Sequence, residues 1–517
     1  MERFGRRDLL KGSAAMALGT AFARAGSHAT SPGFQRILKN DAIRGQNQLR
    51  PPGSLPYPDL AAGTDTMPEI EHVVVLMMEN HSYDNYLGML RRPGADGFTI
   101  GSNGLPTATN PYPDGALQHA FEMPSACQLD GKPTQEWQQS HIQYANGTNQ
   151  GFVISESGPV AMGYWTGATI PFYCSLARTF PLGDRWFCSL LGQTYPNRRY
   201  LIAATSAGMV DDVLEELAIP APNGTIFDRL DAFGISWTDY YTTFPTGATA
   251  MLYPAQDAAG LSAGLKGGTT SNPSPAVPEA EVGVADLAGS PYFKPITEFF
   301  SDAKRGSLPA FAIIDPNFST GSEEDPQNIT IGEQFSYAVV NALMESPAWE
   351  KTLLVWTYDE HGGYFDHVPP PPAIAPDDIP PLVLPAGSEA ATVLGGAGLS
   401  SETSDLTGID DPAYDGFRRY GFRVPAVVVS PFSKRNHVSH LVYDHTSILA
   451  TLERKWNLPA LTWRDANAND LMDFLDLQHR HNPPFAEPPI DTLAKPDPAS
   501  CTPGDAGTIP PPGSVSG

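Results

Sequence analysis

The chain has 517 residues, 41% of them hydrophobic, and a formal net charge of −25 from 57 acidic and 32 basic side chains. That is ample material for a large core. The acidic balance matches neither nucleic acid nor an anionic membrane surface, because phosphate backbones reward clustered Lys and Arg; zwitterionic lipids and small ligands held in locally positive sites stay open.

The N-terminus reads Gly5-Arg6-Arg7-Asp8-Leu9-Leu10-Lys11, then a mild apolar run over 12–23 with small residues at Ala21, Ala23 and Ala25. Arginine pair, apolar run and A-x-A site come in the order of a twin-arginine export signal over 1–25. The twin-arginine machinery is therefore an expected partner, and the mature protein is expected in the periplasm or outside the cell. No later apolar stretch approaches the ~20 residues of a membrane-spanning helix. Four cysteines, Cys127, Cys174, Cys188 and Cys501, show no CxxC spacing. A disulfide suits an exported chain, but spacing fixes no pairing.

Residues 26–66 are polar and rich in Pro and Gly, an extended lead-in. The first strong element is the β-branched and apolar run 72–78, a strand buried on both faces. Similar runs at 235–237, 310–314, 352–356 and 426–429 alternate with helical patterns at 225–232, 332–344 and 446–456. There is no internal repeat. The alternation predicts one α/β domain over 67–475, with a mainly parallel central sheet and helices on both faces. Two Gly/Pro-rich stretches, 255–290 and 369–412, interrupt it as lid-like insertions. From 476 to 517 the chain is Pro-rich without apolar periodicity and reads as an extended tail.

Ligands of open α/β sheets bind beyond the carboxyl ends of strands. Two strands here run directly into hard oxygen donors: the first into Glu79-Asn80, the 352–356 strand into Asp359-Glu360 and then His361-Gly362-Gly363. Taken singly, either pair also suits a helix cap or a solvated turn. Meeting on one sheet edge, adjacent carboxylates repel unless a cation lies between them, and such donors favour Mg, Ca or Mn, with Zn or Fe acceptable. The two glycines allow close backbone approach to a ligand. A third segment, Gly192-Gln193-Thr194-Tyr195-Pro196-Asn197-Arg198-Arg199, places Thr ahead of Pro and a helical run at 200–207, the mark of a helix N-terminus. Such an end binds anions, and a Thr hydroxyl beside a metal there can attack phosphorus; a plain helix cap is the alternative.

Together these segments resemble the bacterial phosphoesterase family that includes phospholipases C and an acid phosphatase, within the alkaline phosphatase superfamily. The matching stretches are HVVVLMMENHSYDNYLG from His72, YCSLARTFPLGDRWFCSLLGQTYPNRRYL from Tyr173 and TIFDRLDAFGISW from Thr225. They continue with WTYDEHGGYFDHVPPP from Trp356, GFRVPAVVVSPFSK from Gly421 and YDHTSILATLER from Tyr443. The resemblance implies an alkaline-phosphatase-like α/β fold. It also implies one divalent metal ion of unknown identity held by Glu79, Asn80, Thr194, Asp359 and Glu360. Thr194 is then the nucleophile of a phospho-threonine mechanism, with Asn80 and Arg198 on the substrate side and an outward salt bridge as the alternative for Arg198.

Two positions depart from the family pattern. Gln135 stands where the family has a His two residues before the tryptophan, and Asp325-Pro326 stands where it has His-Pro. These positions face substrate in the family, yet a Gln cannot shuttle a proton, and an Asp repels phosphate unless protonated or metal-bound. His141, His361, His367 and His445 lie in matching motifs, where each is expected first to fix a loop by hydrogen bonding; if one of them supplies the proton, His361, directly after the metal carboxylates, is the first choice. The implied function is a phospholipase C-like hydrolase of phospholipid or a small phosphate ester. An acid phosphatase acting on monoesters is the nearest alternative, and a non-catalytic phosphate-ester-binding homologue the second.

Overall fold

The computed structural model describes residues 49–127, 132–212, 221–243, 248–252, 291–381, 416–500 and 507–515, with backbone pairing also at Leu384–Pro385 and Thr403–Ser404. The twin-arginine segment 1–25, the insertion 255–290 and most of 382–412 lie outside the described residues.

Among the described residues the main sheet has eight strands: β1 His72–Met78, β2 Leu182–Gly183, β3 Trp237–Tyr241, β4 Phe293–Pro295, β5 Phe311–Ile314, β6 Thr352–Tyr358, β7 Ala426–Val429 and β8 Val438–Ser439. Their order is β8-β2-β7-β6-β1-β5-β3-β4. The β6-β1-β5-β3-β4 run is parallel throughout. β7 is antiparallel to both β6 and β2, while β8 is parallel to β2, so the sheet is mainly parallel, as its continuous apolar strands predict. In β1 and β6 nearly every residue is buried, which requires cover on both faces. Burial at this level contributes about 1.5–3 kcal/mol for each Val, Leu or Met side chain.

The helices are α1 Tyr83–Leu87, α2 Trp137–Tyr144, α3 Pro171–Thr179, α4 Thr194–Ala203, α5 Ile226–Ala232, α6 Ile296–Arg305, α7 Ile329–Met344, α8 Thr446–Trp456 and α9 Trp463–Asn467. α4, α5, α8 and α9 pack together as one set, and α3, α6 and α7 as another.

Several boundaries differ from the sequence expectation for local reasons. The third strand begins at Trp237 because the Ile235 N–H still donates to Leu230 O in the exit turn of α5, through Gly234 at φ 67°. α7 starts at Ile329, ahead of its β-branched first turn, because Asn328 caps it by accepting from Thr330 N. α4 stops at Ala203, since Ala204 turns left-handed at φ 58°, so the run expected over 200–207 is cut short.

Both flanks are docked on the domain. Asn457 accepts from Tyr57 N–H (2.9 Å) and donates to the carbonyls of Tyr57, Leu60 and Ala61. On the other side Phe485 is buried against Phe180, and its carbonyl accepts from the Trp349 indole (3.1 Å). Ala494 N donates to Ser175 Oγ, and Ala499 O accepts from Asn328. The segment after 476 therefore lacks long elements and, in its described part, is anchored to the domain at a few points, with Phe485 and Leu493 buried; low periodicity hid contacts made by single large side chains. Cys127 is disulfide-bonded, Cys174 and Cys188 are free and buried, and Cys501 lies outside the described residues. No helix among the described residues is long and apolar enough to cross a membrane.

The docked tail predicts that Phe485→Ala lowers the unfolding free energy by about 3–5 kcal/mol, as for a core aromatic. A free tail would give a change within about 0.5 kcal/mol in a urea titration.

Candidate active site

β1 and β6 run parallel and in register, with His72 opposite Thr352 and Met78 opposite Tyr358. The next residues along each strand are the two acid-bearing pairs, so strand pairing alone sets Glu79-Asn80 beside Asp359-Glu360. The ladder continues through Asp359 N–H to Met78 O (3.1 Å), and Asn80 N donates to Asp359 Oδ1 (3.3 Å). The chain then turns sharply: Asn80 has φ 70°, Gly362 64° and Gly363 76°. A Cβ on Gly362 would sit 1.8 Å from Asn80 O, and one on Gly363 2.4 Å from Thr134 N. The glycines thus serve close backbone–backbone packing of the two strand ends and the 132–135 loop, instead of the approach to a ligand expected from sequence.

Thr194 opens α4, whose first turn is pinned by Asn197. That side chain accepts from Ser189 N and Leu190 N and donates to Gly192 O and Gln193 O. The Thr194 hydroxyl donates to Glu79 Oε1 (3.1 Å), which joins the third segment to the strand ends. Glu79, Asn80, Thr194, Asp359 and Glu360 are all buried. Glu79 Oε2, Asn80 Oδ1 and Glu360 Oε1 have no hydrogen-bond partner. Burial, and then the Asp359 charge, hold the Glu79 and Glu360 carboxyls well above the usual range. Buried oxygens without donors, on acids that repel each other, form a donor set that fits a hard divalent cation.

Arg198 turns inward. Its Nε donates to Asp359 Oδ2 (2.9 Å), Nη1 to Asp315 Oδ1 (2.9 Å) and Thr249 Oγ1 (3.1 Å), and Nη2 to the carbonyls of Met77 and Met78. A guanidinium has five N–H donors, and all five are used within the protein. The substrate-binding role expected for Arg198 is therefore corrected: it orients Asp359 and has no donor left for phosphate.

Among the histidines, the proton-donor choice changes. Gln143 donates its amide to Thr134 O and Ser157 Oγ, so its Oε1 accepts from His361 Nε2 (2.6 Å). His361 Nδ1 lies 3.5 Å from Glu360 Oε2 without a hydrogen bond. Burial pulls His361 down to about 3, so the ring is neutral and its only proton is committed. The choice of His361 as proton donor does not survive this geometry. His445 Nε2 is held by Asp359 O (2.6 Å) and His141 Nδ1 by Trp137 O (2.6 Å), both as supports. The two altered positions flank the glycine turn. Gln135 follows Thr134, which packs on Gly363, and its carbonyl accepts from Ser140 Oγ. Asp325 Oδ1 accepts from Tyr364 OH (3.1 Å), its Oδ2 is unpartnered, and burial keeps its carboxyl well above the usual range.

A second cluster, Asp84, Asp366 and His367, has metal-capable atoms within 4.8 Å of one another. Arg423 fills it, with Nη2 on Asp84 Oδ1 (3.1 Å) and Nε on Asp366 Oδ1 (2.9 Å). His367 lies between Asp84 (2.6 Å) and Asp96 (3.3 Å). Burial opposes its charge, but Asp84 outweighs that and lifts it to about 9. This is an ion-pair knot already neutralised by side chains.

With this geometry in place, comparison with known proteins decides the family. A model of the Phosphoesterase family matches residues 70–459. The chain belongs to the Phosphoesterase family. It is a phosphoric ester hydrolase. Non-specific phospholipase C1 of Arabidopsis thaliana is 29% identical over 428 residues, covering 77% of this chain and 69% of the relative. Phospholipase C B of Mycobacterium tuberculosis H37Rv is 29% identical over 459 residues, covering 82% and 80%. Non-hemolytic phospholipase C of Burkholderia pseudomallei is 29% identical over 480 residues, covering 85% and 64%. Among solved structures, an alkaline phosphatase superfamily protein from Vibrio parahaemolyticus aligns with TM-score 0.35 and 12% identity, over 86% of this chain and 79% of that one, too distant to argue from.

Sequence reasoning missed three residues that organise this candidate site and its surroundings. Asp315 directly follows β5 and anchors Arg198; the strand-end rule applied to β1 and β6 would have found it. Glu323, at φ 83°, accepts from the hydroxyls of Tyr86 (2.8 Å), Tyr173 (2.6 Å) and Tyr358 (2.6 Å), and no sequence spacing signals such a convergence. Asp212 binds the start of α4.

If a cation joins Glu79 and Glu360, it must displace the protons that burial holds there. Binding of Mg or Mn near pH 7 is expected to release protons, with affinity rising as pH rises. Calorimetry in buffers of differing ionisation heat checks this; proton-neutral binding contradicts it.

Proposed function

We propose that the chain is an exported, metal-dependent phosphoric ester hydrolase of the phospholipase C type that attacks phosphorus through Thr194. The observation that carries this reading is the 3.1 Å bond from the Thr194 hydroxyl to Glu79, beside the unpartnered oxygens of Asn80 and Glu360. Relatives named as phospholipases C support a phospholipid diester as substrate, and the Arg6-Arg7 pattern supports twin-arginine export.

Glu79, Asn80, Asp359, Glu360 and Thr194 would hold one divalent cation, which supplies charge stabilisation for phosphoryl oxygens and favours the ionised hydroxyl. Glu79 orients the Thr194 oxygen and is the nearest base for its proton. Arg198 keeps Asp359 in place, and its guanidinium charge offsets part of the rise that burial gives that carboxyl. Thr194 attacks in line, the ester oxygen leaves, and water then hydrolyses the phospho-threonine. Asp325 is the acid-bearing residue at the altered family position, and the elevated pKa that burial gives it suits a neutral, hydrogen-bonding carboxyl.

The test is hydrolysis of p-nitrophenylphosphorylcholine and p-nitrophenyl phosphate, with and without chelator, by wild type and Thr194→Ala. The expected result is chelator-sensitive cleavage favouring the choline diester, reduced about a thousandfold or more in Thr194→Ala. Cleavage confined to the monoester would make it an acid phosphatase; unchanged turnover in Thr194→Ala would remove the nucleophile assignment.

A further inference from the structure

The first turn of α4 offers few donors to an anion. Pro196 has no N–H, and Asn197 N already donates to Gln193 O (3.3 Å). That leaves the amides of Thr194 and Tyr195, and the Tyr195 N–H donates to Asp212 Oδ1 at 2.7 Å. Asp212 is itself fixed, since its N–H donates to Gln193 Oε1 (2.7 Å) and Asp211 Oδ1 (2.8 Å). It thus grips the residues on both sides of Thr194. Asp212 is exposed and so reachable by a bound ester; desolvation, and then Asp211, Asp359 and Glu324, push its carboxyl up to about 8, so it carries its full charge above that pH, where Glu360 feels it. Glu360, which keeps a buried and unpartnered oxygen, is the strand-end acid that Asp212 acts on. Arg198 and one divalent cation do not outweigh Glu79, Asp315, Asp359 and Glu360, so no surplus positive charge offsets Asp212.

We propose that Asp212 determines selectivity between phosphodiesters and phosphomonoesters, by taking the helix N–H next to the nucleophile and repelling the second charge of a monoester. A diester carries one negative charge and meets this repulsion once; a monoester dianion and free phosphate meet it twice. The proposal rests on Thr194 being the nucleophile.

The experiment uses the full-length, metal-loaded enzyme with two substrates that share a leaving group, p-nitrophenyl ethyl phosphate and p-nitrophenyl phosphate. Wild type, Asp212→Asn and Asp212→Ala are compared at about pH 9, where Asp212 is ionised, for kcat/KM on each and for inhibition by inorganic phosphate. The expected result is a fall of about tenfold or more in the diester-to-monoester ratio in both variants, with phosphate inhibiting at about tenfold lower concentration. An unchanged or increased ratio, weaker phosphate inhibition, or loss of both activities overturns the proposal. Thr194→Ala, run in parallel, separates the two claims. If it retains turnover, the nucleophile reading fails; if it is inactive while the Asp212 variants keep the wild-type ratio, only the selectivity assignment fails.

Discussion

The site depends on one constraint: the parallel, in-register pairing of β1 with β6. Seven matched residues in each strand fix where the next two stand, and those are Glu79-Asn80 and Asp359-Glu360. The hydrophobic strands thereby hold carboxylates together that would separate in water. Gly362 and Gly363 complete the arrangement, because only residues without a Cβ let the second strand end fold back against Asn80 and Thr134.

Gathering acids in a dry place needs compensation, and this molecule supplies it in two ways. Arg198 crosses from α4 to bind Asp359 and Asp315, as Arg423 does for Asp84 and Asp366. At the second cluster the guanidinium, His367 and backbone amides satisfy the acids. At the first, Arg198 reaches Asp359 but leaves oxygens of Glu79, Asn80 and Glu360 without partners. Two similar-looking acidic clusters are therefore distinguished by where hydrogen bonds are missing, and the missing bonds fall beside the Thr194 hydroxyl.

Much of this was legible in the sequence, because buried parallel strands are continuous apolar runs and ligands collect at their ends. His72–Met78 and Ala426–Val429 match the predicted runs residue for residue. The strand-end rule picked out Glu79 and Asp359 but was not extended to Ile314-Asp315. What the sequence concealed was direction. Nothing local tells whether Arg198 points at solvent, substrate or Asp359; five acceptors spread over β1, β5, β6 and the 249 segment decide it. His361 was chosen for its position in a motif, whereas burial keeps its ring neutral and Gln143, 218 residues away in the chain, fixes which nitrogen holds the proton. The anchoring of the tail was hidden for a related reason: a few anchors such as Phe485 leave no periodic trace.

The most direct measurement is anomalous diffraction from crystals soaked in manganese and orthovanadate. The account predicts one Mn peak within bonding distance of Glu79, Asn80, Glu360 and the Thr194 oxygen, with vanadium beside Thr194. A Mn peak among Asp84, Asp366 and His367, or vanadium bound away from Thr194, would contradict it.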